Sequence, residues 1–265
     1  MKKFVIALAA AAAFTSPALA ADIAARPYAK APVAPVAVAP SWTGCYIGGG
    51  GGYGLYDIES QQVTAPGGLA LNRGFDQGGR GWIGTLQAGC DYQFPLANNQ
   101  FVFGVFGDYN FSDMRGDFTG NGNRVGLDIG REKVDRYWAV GGRIGWLVNP
   151  QTLTYFSGGY TEAHRTGVGY LFLSGLPTGT ALPGSTSSGW FLGSGIEHTV
   201  GWIPGLTWKT EYRFSEYDRR DNLEFFTATG LPTGTASRDK LFTQTITSTL
   251  SYRFNWGGAP VVAKY

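Results

Sequence analysis

Residues 242–254 read FTQTITSTLSYRF. Phe242, Ile246, Leu250, Tyr252 and Phe254 share one parity, and Thr243, Thr245, Thr247, Thr249, Ser251 and Arg253 share the other. A two-residue period belongs to an extended strand, whose successive side chains point to opposite faces. This strand is therefore apolar and aromatic on one side and hydrophilic on the other.

Working outward, the same two-faced pattern recurs along the chain. In 206–214, Leu206, Trp208, Thr210, Tyr212 and Phe214 oppose Lys209, Glu211 and Arg213. In 190–200, Trp190, Leu192, Ile196 and Val200 oppose Glu197; in 138–146, Trp138, Val140, Ile144 and Trp146 oppose Arg143. Segment 101–111 sets Phe101, Phe103, Val105, Tyr109 and Phe111 against Asp108 and Asn110, and 82–94 sets Trp82, Leu86, Cys90, Tyr92 and Phe94 against Gln87 and Asp91. Segment 42–56 aligns Cys45, Ile47, Tyr53 and Leu55 around the run Gly48–Gly52. Segment 152–164 is the eighth, and its outward face is not decided by the pattern. Short turns follow the second, fourth and sixth segments, at 95–100, 148–151 and 201–205. The other connections, 57–80, 112–133, 165–188 and 218–239, are long, polar and Gly-rich.

These features predict an all-β fold, an eight-stranded antiparallel transmembrane β-barrel of up-and-down topology, with short inner turns and long outer loops. Composition agrees. Charged residues make up 15%, against about a quarter in a typical soluble domain, yet there are 41 Gly, 17 Phe, 14 Tyr and 8 Trp. Mean hydropathy is −0.09, and beyond residue 20 no run reaches the ~18 apolar residues of a membrane helix. A net charge of +2 gives no footprint for nucleic acid. Trp42, Trp82, Trp138, Trp190 and Trp208 lie near strand starts, Trp146 and Trp256 at or beyond strand ends, and Trp202 in a turn. A soluble core draws Trp to strand middles, whereas strand-end Trp marks lipid–water interfaces. All eight are read as interfacial, with the aromatic face toward lipid and the polar face inside.

Residues 1–20, MKKFVIALAAAAAFTSPALA, carry a basic start, a short apolar stretch and the small-residue site Ala18-Leu19-Ala20, the pattern of a cleaved signal peptide. Residues 21–41 are rich in Ala and Pro and read as an extended periplasmic spacer. The barrel domain then covers 42–265.

Eight strands enclose a lumen that side chains can fill. The inward charges Asp91, Asp108, Glu197 and Glu211 balance Arg143, Lys209, Arg213 and Arg253. Charges out of water persist when paired, so this octet predicts an internal salt-bridge plug. A narrow ion path along the same residues is the alternative.

The stretch WTGCYIGGGGGYG (42–54), with WAVGGRIGWL (138–147), GWFLGSGIEH (189–198), WKTEYRF (208–214) and LSYRF (250–254) in this order, resembles the small outer-membrane barrel proteins of the outer membrane immunogenic or porin-family type, which include hemin-binding members. The resemblance spans nearly the whole mature chain. It implies residence in the bacterial cell outer membrane, contact with outer-membrane lipid, and structural or surface-antigen roles. Leu250, Tyr252 and Phe254 look like the signal read by the barrel-assembly machinery. The tail 255–265 departs from barrels that stop at the final Phe.

Candidate chemical sites are few. Cys45 and Cys90 share outward parity near the inner end, which favours a cross-strand disulfide in an oxidising compartment, with two unpaired small apolar residues as the other reading. The glycine run lacks the helix and Lys-Ser/Thr of a phosphate loop and suits a tightly curved strand. His164 and His198, the two histidines, fall at opposite ends of adjacent strands and form no common metal site. His164 is the weak candidate for hemin, through the resemblance, and with Glu162 for rim catalysis, which no serine motif supports. GLPTGTA occurs at 175–181 and again at 230–236, in loops 165–188 and 218–239; it reads as turn chemistry or as a repeated contact for a surface ligand. The sequence thus predicts a non-enzymatic structural barrel for envelope integrity and surface display, with no cofactor. A small-solute porin or hemin receptor is the runner-up.

Overall fold

A computed structural model of the chain describes residues 41–119 and 128–254. The signal peptide, the spacer up to residue 40, and the tail 255–265 with Trp256 lie outside the described residues. Within them run eleven strands: β1 (Gly44–Thr64), β2 (Phe75–Leu96), β3 (Asn99–Thr119), β4 (Asp128–Asn149), β5 (Thr152–Arg165), β6 (Val168–Phe172), β7 (Pro177–Leu182), β8 (Ser185–Thr199), β9 (Leu206–Tyr217), β10 (Arg220–Phe226) and β11 (Pro232–Phe254). The antiparallel order β1-β2-β3-β4-β5-β8-β9-β11 closes on itself, because β11 pairs again with β1 from Cys45↔Phe254 to Thr64↔Thr235. Closure leaves this ring without an edge strand, so its backbone groups are satisfied inside the wall.

The wall is inside out by the standard of a soluble protein. Leu86, Val105, Ile144, Leu192, Ile246 and Leu250 face outward and are exposed, while Asp91, Arg143, Glu197, Lys209, Glu211 and Arg253 are buried. Segment 152–164 resolves the same way. Phe156 and Tyr160 point out, and Leu153, Tyr155, Ser157, Thr161 and Arg165 point in.

Two expectations need correction. The stretches 57–80, 112–133, 165–188 and 218–239 are mostly strand, because β1–β4 run past the apolar belt and β6, β7 and β10 join β4 to β11 above β5, β8 and β9. Beyond lipid the outer face is solvated, so the apolar half of the alternation vanishes although pairing continues. Trp42 is the second. It is 1% exposed and shares the parity of inward-facing Tyr46 and Tyr56, so it closes the short-turn end of the lumen. Its Nε1 donates to the Pro150 carbonyl at 3.2 Å.

Within the run Gly48–Gly52, Gly48, Gly50 and Gly52 are needed by close approach. A Cβ on Gly50 would stand 2.1 Å from the Ser248 carbonyl oxygen, and one on Gly52 2.1 Å from that of Ile246. Here β1 presses against β11 as the sheet curves shut, which is a backbone role and no phosphate cradle.

Candidate functional site: the lumen and the rim

Side chains cross the lumen in layers. At the short-turn end Trp42, Val102, Leu153 and Tyr155 pack together. Above them Arg143 of β4 donates from Nε and Nη2 to the Asp91 carboxylate of β2 (2.9 and 2.5 Å) and from Nη1 to Glu197 of β8 at 2.8 Å. Arg253 of β11 donates to the same two carboxylates at 2.7 and 3.3 Å. Its Nη1 also donates to the Trp42 carbonyl at 2.7 Å. The four charges cancel. Both guanidiniums lie about 5 Å from the Tyr46 ring, at 4.9 Å for Arg143 and 5.1 Å for Arg253.

The next layer joins Arg213 to Asp108 (2.9 Å) and Glu211 (2.8 Å), and Lys209 to Glu211 (3.5 Å). Lys209 also donates to Gln87, which donates to Thr249 and Ser251. Tyr155 donates to Glu211 at 2.7 Å. Between the layers Phe106 and Phe191 sit 5.7 and 4.3 Å from the Arg213 guanidinium. A pocket in this layer, lined by Gln87, Asp108, Lys209, Glu211 and Arg213, has a volume of about 10 Å³, room for roughly one water molecule. A larger apolar layer follows, built on Tyr56, Ile58, Ile83, Met114, Val134, Tyr137, Tyr217 and Leu241. The top layer holds Arg165 between Glu132 (2.7 Å) and Asp239 (3.1 Å).

The eight inward charges read from the sequence are thus brought together as two adjoining clusters. Glu132, Arg165, Asp239 and Tyr155 were missed. Asp239 continues the odd face of 243–253 and was legible by extending that parity. Arg165 needed the face of β5, and Glu132 lies past the register slip of β4 between Val134 and Arg136, which turns even positions inward.

Cys45 stands opposite Cys90, and their sulfurs are joined. Leu250, Tyr252 and Phe254 lie exposed at the end of β11. Trp82, Trp146, Trp190, Trp202 and Trp208 are exposed and Trp138 is half-buried. Rings gather at the long-connection end: Tyr53 with Trp82, Trp138 with Tyr160, Trp190 with Phe214, and Phe214 with Phe242. His164 Nδ1 is bonded to Asp135 Oδ1 at 2.6 Å, and His198 Nδ1 to Thr152 Oγ1 at 2.9 Å, at opposite ends of β5 and β8. Glu162 accepts from Tyr160 at 3.2 Å. Among the described residues no three His, Cys, Asp or Glu side chains group as metal ligands.

The two GLPTGTA copies fold alike, side by side. Thr178 donates to the Tyr170 carbonyl as Thr233 does to that of Glu224, and Gly179 and Gly234 both have φ near 83°. Strands β7 and β10 pair at Ala181↔Phe225, placing the hairpins next to each other, with Leu176 and Leu231 exposed at their tips.

A closed eight-stranded antiparallel wall with an apolar, ring-bordered exterior and a charged interior defines a transmembrane β-barrel. The chain is 28% identical to the 31 kDa outer-membrane immunogenic protein of Brucella melitensis over 224 residues, 83% of this chain and 89% of that protein. It is 30% identical to the 22 kDa outer membrane protein of Rhizobium leguminosarum bv. viciae over 188 residues, 71% of this chain and 70% of that protein. The chain belongs to this family of small bacterial outer-membrane β-barrel proteins, and its location is the bacterial outer membrane. No protein-family profile matches it. Among solved structures, OprG from Pseudomonas aeruginosa aligns at TM-score 0.48 and 11% identity, over 82% of this chain and 100% of that one.

Proposed function

We propose that this protein is a structural barrel, closed to diffusion, that contributes to envelope integrity and displays its paired hairpins at the cell surface. The observation that carries the reading is the stack of charged and aromatic layers across the lumen, ion-paired from wall to wall. A diffusive pore needs a wider ring, roughly twice the strand number. The reading includes no catalytic step and no cofactor; the outer-leaflet lipid surrounds the belt, and Leu250, Tyr252 and Phe254 serve the assembly machinery during insertion. Surface display rests on the duplicated hairpins within 165–188 and 218–239, which offer one repeated apolar tip to a ligand.

Planar-bilayer recording of the purified chain tests closure, and the expected trace is free of stable, large single-channel steps. Steady steps would replace this reading with the small-solute porin. Hemin titration is expected to give no spectral shift that depends on His164. A shift lost in His164→Ala would favour the receptor reading instead.

A further inference from the structure

Three cations stand in a row on the outer wall. Arg80 of β2 lies directly opposite Arg115 of β3, and Arg115 directly opposite Lys133 of β4. Adjacent strands are about 4.8 Å apart, so the row spans roughly 10 Å. Like charges facing each other across a sheet repel. One carboxylate answers them: Asp113 lies 2.6 Å from Arg115 Nη2 and 2.7 Å from Lys133 Nζ. Arg80 is exposed, and among the described residues it has no ion pair. Several other outward cations are matched one to one, Arg131 by Asp117, Arg136 by Asp135, Arg219 by Glu59 and Lys240 by Glu216. The row, three cations against Asp113, carries an excess of two positive charges.

Its height matters as much as its charge. Arg80 stands two residues beyond Trp82 and Arg115 four beyond Phe111, on the side away from the short turns. Trp82 and Phe111 are exposed outward and mark the edge of the hydrocarbon. The row therefore sits at headgroup level of the outer leaflet, and long Arg and Lys stems reach along that boundary. Guanidinium forks match phosphate oxygens in bidentate geometry.

We propose that Arg80, Arg115 and Lys133 form a docking site for the phosphate of a phosphorylated glycolipid of the outer leaflet. An anion placed over the row supplies the counter-charge that Asp113 alone does not. The site rests on the lipid-facing geometry and is independent of lumen closure, so it stands or falls apart from the conductance result.

The test is energy transfer from Trp to dansyl-labelled lipid A, with the whole mature chain in mixed micelles. Bisphosphorylated lipid A is compared with its dephosphorylated form. The bisphosphorylated form is expected to bind at least about tenfold more tightly. At about fivefold per surface cation, Arg80→Gln weakens it about fivefold and Arg80→Gln with Arg115→Gln about 25-fold. Asp113→Asn, which adds to the excess charge, strengthens it by about the same fivefold. Arg219→Gln, whose cation is matched by Glu59 across the barrel wall, leaves binding unchanged. Equal binding of the two lipids, an unchanged double variant, weaker binding by Asp113→Asn, an equal loss in Arg219→Gln, or displacement by millimolar inorganic phosphate would each overturn the proposal. Folding of every variant is read from its heat-modifiable gel shift, and the opposite sign expected of Asp113→Asn survives the loss of any one arginine variant.

Discussion

Replacing Arg143 with leucine removes one cation from the cluster of Asp91, Glu197, Arg143 and Arg253 and leaves it with a net charge of −1. Three charged hydrogen bonds disappear, two to Asp91 and one to Glu197. At about 1.5–3 kcal/mol each the gross loss is large, but Arg253 still holds both carboxylates. The net cost expected for breaking a buried pair is about 3–5 kcal/mol. Urea titration of the refolded barrel in zwitterionic vesicles, followed by Trp fluorescence and the heat-modifiable gel shift, measures it. Combining Arg143→Leu with Asp91→Asn closes a double-mutant cycle, with a coupling of about 1–3 kcal/mol expected for groups in contact. A cost for Arg143→Leu below about 1 kcal/mol is the value of a solvent-exposed ion pair. That result would mean a water-filled lumen and would refute the layered plug.

The glycine run gives a parity test: Gly50→Ala, whose Cβ meets the Ser248 carbonyl at 2.1 Å, costs about 1–3 kcal/mol. Gly49→Ala, nearest Leu86 Cδ2 at 3.3 Å, costs less than about 1 kcal/mol; equal costs in urea titration would contradict the β1–β11 approach. Iodoacetamide without reductant is expected to label no thiol, and replacing Cys45 and Cys90 by Ala lowers stability by at most about 4 kcal/mol, from chain entropy for a separation of 45 residues. At the rim, hydrogen bonds from Arg238 (2.7 and 2.8 Å) hold the Asp221 carboxyl below the usual carboxylate range. A depressed folded pKa stabilises above the unfolded value near 4 and loses that contribution as pH falls through the folded value. The protection free energy of the β10 amides, corrected for the intrinsic exchange rate at each pH, should therefore fall by a few tenths of a kcal/mol in acid, and Arg238→Gln should abolish the dependence.

The alternation in 82–94, 101–111, 138–146, 206–214 and 242–254 already marked five of the eight strands of the ring and which of their faces meets lipid, because parity is a local property of an extended chain. Trp42 shows the limit of position without parity: it lies near a strand start as interfacial Trp does, yet its even number points it inward with Tyr46. The pattern also ended too early, since strands continue beyond lipid, where both faces are wet and apolar residues no longer mark one of them. That hid Arg165, Glu132 and Asp239, and with them the top layer.

What the sequence by itself could state about the interior was a balance of four acids and four bases on the enclosed face. Who pairs with whom was decided by the tertiary structure. Arg143 on β4 reaches Asp91 on β2 and Glu197 on β8, and Arg253 on β11 reaches the same two. None of these strands adjoins β4 in the ring, and contact between them depends on how far each slides along its neighbours as the sheet closes. The Arg80–Arg115–Lys133 row has the same origin. Three cations scattered through the chain become neighbours only once the registers of β2, β3 and β4 are fixed.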